Sequence, residues 1–163
     1  MAVLLYSEQQ AIKAISENNE YLFEQLEKDV VEMYLSKMLG VQLSQDVQDN
    51  PENYTDLLDG CTFEYCGKIV KHKGIKFCLA YYIFAEYIQV SDVQDTFSGM
   101  VQFNRGETTH ISQGKINNIR ANNISIAEQN WQLTKYYLDT VKPIGWCGQI
   151  SKPYTSRIYE IKK

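Results

Sequence analysis

The chain has 163 residues, 44% of them hydrophobic and 22% charged, a balance that fits one globular domain and excludes wholesale disorder, a collagen-like repeat or a coiled coil. The formal net charge of −4 conceals a division. Residues 1–65 carry 3 Lys+Arg against 13 Asp+Glu, a balance of −10, and residues 66–163 carry 13 against 7, a balance of +6. Such polarity points to a nucleic acid, a membrane surface or an oppositely charged copy of the same chain as partner.

The opening MAVLLYSEQQ lacks a basic n-region and has too short an apolar run for a secretory signal. The longest apolar run, Phe77 to Ala85, is nine residues, well below the roughly 20 of a membrane-spanning helix. Without a signal, Cys61, Cys66, Cys78 and Cys147 read as reduced thiols.

Ser7 followed three residues later by Gln10 predicts a capping box opening a short helix to about Glu17, with Ala11, Ile12, Ala14 and Ile15 inside. A second helix is predicted over 20–39. There Leu22, Phe23, Leu26, Val30, Tyr34 and Met38 recur every three to four residues, Gly40 supplies the stop, and Glu20, Glu24, Glu27, Asp29 and Glu32 form a solvated acidic face. Residues 41–50 read as polar and irregular. Pro51 opens a short helix ending at Gly60. Residues 61–65 and 69–72 flank Cys66-Gly67-Lys68 as a β-hairpin.

From Gly74 to Val90 only Glu86 and Gln89 are polar after Lys76, which predicts a helix buried all round, with a partner subunit completing its cover. Residues 91–112 read as a long loop with β character at 100–103. Its Phe97, Met100, Val101 and Phe103 suit docking better than a plain linker. A long helix is expected over 112–141, with a break or bend near Asn122 because Asn117, Asn118, Asn122 and Asn123 are mediocre helix formers. The Pro/Gly-rich tail leads to an extended arm carrying Tyr154, Ile158, Tyr159 and Ile161, suited to adding a strand to a neighbour.

No motif carries catalysis. The Cys61, Cys66, His72, Cys78 spacing only grazes a zinc pattern, and structural thiols suit it better. His72 and His110 belong to no nucleophile motif and read as a surface hairpin residue and a loop residue. Phosphate-cradling glycine motifs are missing. An enzyme is therefore not expected, nor a cofactor. Lys68, Lys71, Lys73 and Lys76 form a candidate basic patch. They support an alternative reading, a small nucleic-acid-binding module blind to sequence, or more simply a solvated patch facing an acidic helix.

Tyr54 to Ile88, in which Leu57-Leu58-Asp59-Gly60 leads into the hairpin and Lys73-Gly74-Ile75-Lys76 opens a helix with Tyr81-Tyr82, Ala85 and Tyr87, resembles the head-to-tail connector proteins of tailed bacteriophages. The continuation Ser91 to Val101, with its Asp95-Thr96-x-x-Gly99 turn, extends the likeness. It is most similar to ring proteins of crAss-like phages of gut Bacteroidales, and it covers roughly residues 20–140 as an order of elements. Family members often have Pro where Phe97 stands, and the tail after Val141 matches no shared pattern.

The resemblance implies a structural virion protein at the head-tail junction, made in the host cytoplasm. Such a subunit forms a ring, typically twelvefold, that docks on the portal and on neighbouring ring or tail proteins. DNA passes through the channel without sequence-specific binding, and no membrane is involved. A ring closed by rotation needs two different complementary faces, which an acidic first part and a basic second part would supply. The expected fold is mainly α: a helical bundle over 1–141 with a hairpin near 61–72 and a docking loop near 91–112, followed by an extended C-terminal arm over 142–163. Phe97, Met100, Val101, Phe103, Tyr154, Ile158, Tyr159 and Ile161 are its candidate protein contacts.

Overall fold

A computed structural model of the chain describes residues 3–13, 20–90, 93–96, 99–102 and 113–146. In order these form α1 (Tyr6–Ile12), α2 (Glu20–Val30), a π-helical segment (Val31–Leu35), α3 (Ser36–Leu39), α4 (Val41–Asp49), a 3₁₀ turn (Pro51–Tyr54), α5 (Thr55–Asp59), β1 (Thr62–Tyr65), β2 (Lys68–Lys71), α6 (Gly74–Val90), β3 (Val93–Thr96), β4 (Gly99–Gln102) and α7 (Gln113–Val141). The architecture is helical with small antiparallel hairpins, as the composition and periodicity predict.

Helix α1 starts earlier than the Ser7 box predicts. Leu5 is its N-cap, and Leu5 N–H donates to Glu8 Oε2 at 2.8 Å, so Glu8 supplies the returning half of the cap. Inside it lies Gln9, fully buried, its Nε2 donating to the carbonyls of Lys13 and Ala80. Ala14 and Ile15 lie outside the described residues.

Residues 20–39 are helical throughout and stop at Gly40, whose φ of +78° suits glycine. The π turn inserts one extra residue into the helix, so Val30 and Val31 are both buried and the stripe resumes with Leu35, Met38 and Leu39. On the predicted acidic face, Glu24, Asp29 and Glu32 are exposed. Glu27 departs from that face. It is buried, and its Oε1 accepts Val3 N–H at 3.0 Å, which ties the N-terminal residues Val3 and Leu4 into the core.

Residues 41–49 are helical, not irregular. Leu43 and Val47, one turn apart, are both fully buried, and this pair anchors a segment otherwise polar. The hairpin forms where predicted, but its turn is two residues and not three: Lys68, expected in the loop, opens β2 opposite Tyr65. Cys66 and Gly67 have φ of +51° and +73°, the two left-handed residues of a type I′ turn.

Helix α6 is the centre of the molecule. Every residue from Gly74 to Ile88 is buried or partly buried, under cover from α7, α2, α5 and α1. Elements of the same chain thus supply most of the cover expected of a partner subunit, while Phe77, Tyr81, Phe84 and Ile88 stay partly exposed. Each fully buried aliphatic here, Ile75, Leu79 and Ile83 among them, contributes about 1.5–3 kcal/mol. Gly60 and Gly74 permit a very close approach of two backbone segments. A Cβ on Gly60 would meet His72 O at 2.5 Å, and one on Gly74 would overlap the Leu58 carbonyl, at φ of +89° and +79°.

The predicted loop 91–112 contains a second hairpin, with Met100 opposite Asp95 and Val101 opposite Gln94. Phe97 and Phe103 lie outside the described residues. Helix α7 runs unbroken through Asn122, so the predicted break does not occur. Asn123 is buried and its Nδ2 donates to Ile119 O at 2.7 Å, so this amide bonds within its own helix, and packing of Ile116, Ala127, Trp131 and Leu138 outweighs weak propensity. The chain then turns through Gly145 to Trp146, whose indole Nε1–H donates to Asp139 Oδ1 at 2.9 Å. Cys147 and the arm residues Tyr154, Ile158, Tyr159 and Ile161 lie outside the described residues.

Candidate interaction surfaces and the buried His72 cluster

The hairpin packs its inner face on α7. Phe63 meets Tyr137 edge to face at 5.5 Å between ring centroids, and Tyr65 stacks on Tyr136 at 4.7 Å. With two-residue alternation, Val70 and then His72 follow on that same face. His72 is accordingly fully buried, stacked on Tyr137 at 4.8 Å, not the surface residue expected of a hairpin end.

Around it lies the densest group of chemistry-bearing side chains. His72 Nδ1 accepts Gly74 N–H at 3.2 Å and has Thr134 Oγ1 at 3.4 Å. Its Nε2 faces Cys61 N–H at 3.3 Å and Cys61 Sγ at 3.4 Å. Asn130, on the next turn of α7, ties that helix to the start of α6 and to Lys73 just before it. Its Oδ1 accepts Lys73 N–H at 2.8 Å, and its Nδ2 donates to Gly74 O at 3.0 Å and to Cys78 Sγ at 3.2 Å.

A cysteine beside a histidine raises the question of nucleophilic chemistry. The electrostatics oppose it. Burial, with Asp56 adding to it, raises the Cys61 thiol above its ordinary range, and burial lowers His72 despite Asp56. The pair is held as neutral thiol and neutral imidazole, and protonating the ring would aim an N–H at each of two backbone donors. Cys78, buried against the Gly74 and Ala127 carbonyls, is pushed up to about 12 by burial. Of the weighed zinc set, Cys61 and His72 meet, while Cys66 sits exposed on the turn. Among the described residues no group of three or more His, Cys, Asp or Glu is placed to hold a metal. The cluster locks the hairpin, the start of α6 and the middle of α7 into one unit.

The four lysines do not form one patch. Lys76 is partly buried and paired with Glu8 at 2.7 Å and Asp59 at 2.8 Å. Desolvation works against its charge, but those two carboxylates raise its pKa overall. Lys68 and Lys71 are exposed, and at three residues' separation they occupy opposite faces of β2. Lys73 Nζ lies 4.3 Å from the Phe77 ring centroid. What remains is the outer face of the hairpin, where Ile69, 83% exposed, shares β2 with Lys71 and faces Glu64 across the pair.

A second apolar surface, which the sequence reading missed, lies where α4 begins and the chain leaves α7. Val41 is 80% and Ile144 85% exposed, and both line a depression with Asp46 and Asp49. Hydrogen bonds from Tyr54 and Asn50 hold the Asp46 carboxyl below its ordinary range. The corresponding Tyr54 hydroxyl is pushed up to about 12 by its bond to that carboxylate. The two surfaces thus pair exposed apolar residues with unlike charge, mixed at the hairpin and acidic at Val41 and Ile144. Among the described residues no helix is long and apolar enough to cross a membrane.

The model of a family of unknown function, DUF6712, matches residues 35–149. That span includes α4, the hairpin, the His72 cluster and α6 together with α7. No curated protein and no solved structure matches the chain.

Proposed function

The chain belongs to the family of unknown function DUF6712, and from that premise we propose that it is a structural subunit of a ring joining a phage portal to the tail, extending the channel for DNA. The observation that carries this reading is the pair of unlike surfaces. Ile69 stands on the outer face of the hairpin with Lys71 and with Glu64 opposite, Lys68 beside it at the turn, whereas Val41 and Ile144 stand beside Asp46 and Asp49. A heterologous, head-to-tail contact that closes into a ring requires two different patches on each subunit. Unlike charge around them sets register and orientation, with the apolar residues at the centre of the contact. The resemblance of Tyr54 to Val101 to connector proteins supplies the biological setting.

Charge reversal tests it. The full chain, mixed with the portal protein of the same genome, assembles as rings seen by electron microscopy and mass measurement. Lys68→Glu with Lys71→Glu, or Asp46→Lys with Asp49→Lys, abolishes the rings and leaves the monomer folded. Rings that form undiminished from either double variant rule out the assigned surfaces. If the lysine variant assembles normally but loses salt-dependent DNA binding, the chain is a nucleic-acid-binding module instead.

A further inference from the structure

A groove of about 570 Å³ lies between α2 and α4, with Val31 and Val41 among its apolar residues and Glu32 and Gln48 among its polar ones. Past Val41 and Gln45 it continues into the depression that holds Asp46, Asp49 and Ile144. Across both, four acids (Glu27, Glu32, Asp46 and Asp49) stand against the single base Lys28, a balance of −3.

The described chain ends at the lip of this groove. Gly145 backs onto α4 so closely that a Cβ there would lie 3.2 Å from Gln42 Cγ. Beyond Trp146 follow residues 147–163. They carry Lys152, Arg157, Lys162 and Lys163 against Glu160, a balance of +3, interleaved with Ile150, Tyr154, Ile158, Tyr159 and Ile161. At about 3.3 Å per extended residue, this segment spans roughly 55 Å, more than enough to follow the groove.

We propose that the groove between α2 and α4 is the binding site of the chain's own C-terminal segment, residues 147–163. Its apolar side chains cover Val31, Val41 and Ile144, and its bases face Glu32, Asp46 and Asp49. Three observations converge on this occupant: the balance of −3 against +3, an apolar floor met by an apolar-and-basic segment, and a chain that departs beside the site. Tethering at that point gives the segment an effective concentration in the millimolar range, which a segment from another copy would have to exceed. This assignment does not rest on the ring reading. It bears on it, because a tail in the groove shields Val41 and Ile144 until a neighbour displaces it.

The test uses the full chain alone, without a portal. A photo-cross-linking amino acid replaces Tyr154 or Tyr159, in an equal mixture of ¹⁴N- and ¹⁵N-labelled protein, and cross-links are mapped by mass spectrometry. The expected products join the tail to residues 27–49 within single copies, carrying one label only. Glu32→Lys with Asp49→Lys, both exposed positions, lowers their yield several-fold, as does salt near 1 M, where the Debye length is about 3 Å. Groove cross-links with mixed labels assign the site to a second copy and overturn the proposal. So do cross-links confined to other surfaces, or a yield indifferent to charge reversal.

Discussion

Asn130→Ala removes the amide through which α7 holds the junction between hairpin and α6. In the wild-type chain Asn130 is 6% exposed and makes contacts at 2.8, 3.0 and 3.2 Å. The partners fare unequally when it goes. Gly74 O keeps its helical bond within α6, and Cys78 Sγ keeps the Gly74 and Ala127 carbonyls. Lys73 N–H is left with no acceptor. An orphaned donor costs about 1–3 kcal/mol and each lost net hydrogen bond about 1 kcal/mol, giving a destabilisation of about 2–4 kcal/mol. For a domain of this size, where 1 kcal/mol moves Tm by about 2–4 °C, the melting temperature falls by roughly 5–15 °C. Urea unfolding followed by circular dichroism is the assay, with an unchanged m-value showing that the two end states are preserved. Asn130→Asp keeps the acceptor for Lys73 N–H but turns a carboxylate toward the Gly74 carbonyl, and it is destabilised at least as much. A variant Asn130→Ala melting within about 2 °C of wild type shows that water replaces the amide and refutes the cluster as the junction's lock.

Three further outcomes follow from the same geometry. Gly74→Ala forces a Cβ onto the Leu58 carbonyl at positive φ and is expected to give no soluble folded chain, which expression with circular dichroism checks; native-like melting contradicts the crossing. His72 has its pKa lowered in the fold by burial, so the unfolded chain binds its proton first. Stability is complete above the unfolded pKa of about 6.5 and is lost as pH falls below it, by up to about 1.4 kcal/mol per pH unit until the folded pKa is reached. The difference between wild type and His72→Gln, measured by urea titration from pH 7.5 to 5.5, isolates this slope, and parallel curves disprove it. Glu27→Ala frees Val3 N–H and its neighbour. Hydrogen exchange is expected to accelerate at Val3 and Leu4 by at least tenfold, the equivalent of about 1.4 kcal/mol, while that of α6 is unchanged.

Much of the fold was legible where one local signal dominated. Gly74 and the apolar run after it fixed α6 to the residue, and Cys66-Gly67-Lys68 between β-prone flanks located the hairpin with its loop one residue too long. Helix α4 was illegible because only Leu43 and Val47 mark its buried side. A break at Asn122 was expected from propensity, a preference worth tenths of a kcal/mol per residue, and packing of α7 along α6 overrode it. The His72 cluster carried two signals that went unread. His72 continues the alternation of Lys68 and Val70 onto the inner face. Asn123, Asn130 and Thr134 share the three-to-four spacing of Ile116, Ala127 and Leu138. A polar residue in phase with a buried stripe implies a satisfied buried group. The Val41–Ile144 surface had no such signal, because it joins residues a hundred positions apart.

The crossing of Gly60 with Gly74 has a consequence for variation. Because the two strands of chain touch there, and Cys61 O accepts His72 N–H at 3.1 Å just beyond, the excursion from Thr62 to Lys71 leaves and returns at a single point. Lengthening such a closed excursion costs only about 0.6 kcal/mol per doubling. The hairpin tip is therefore where the chain can accept a loop of different length and charge while the helices beneath stay as they are.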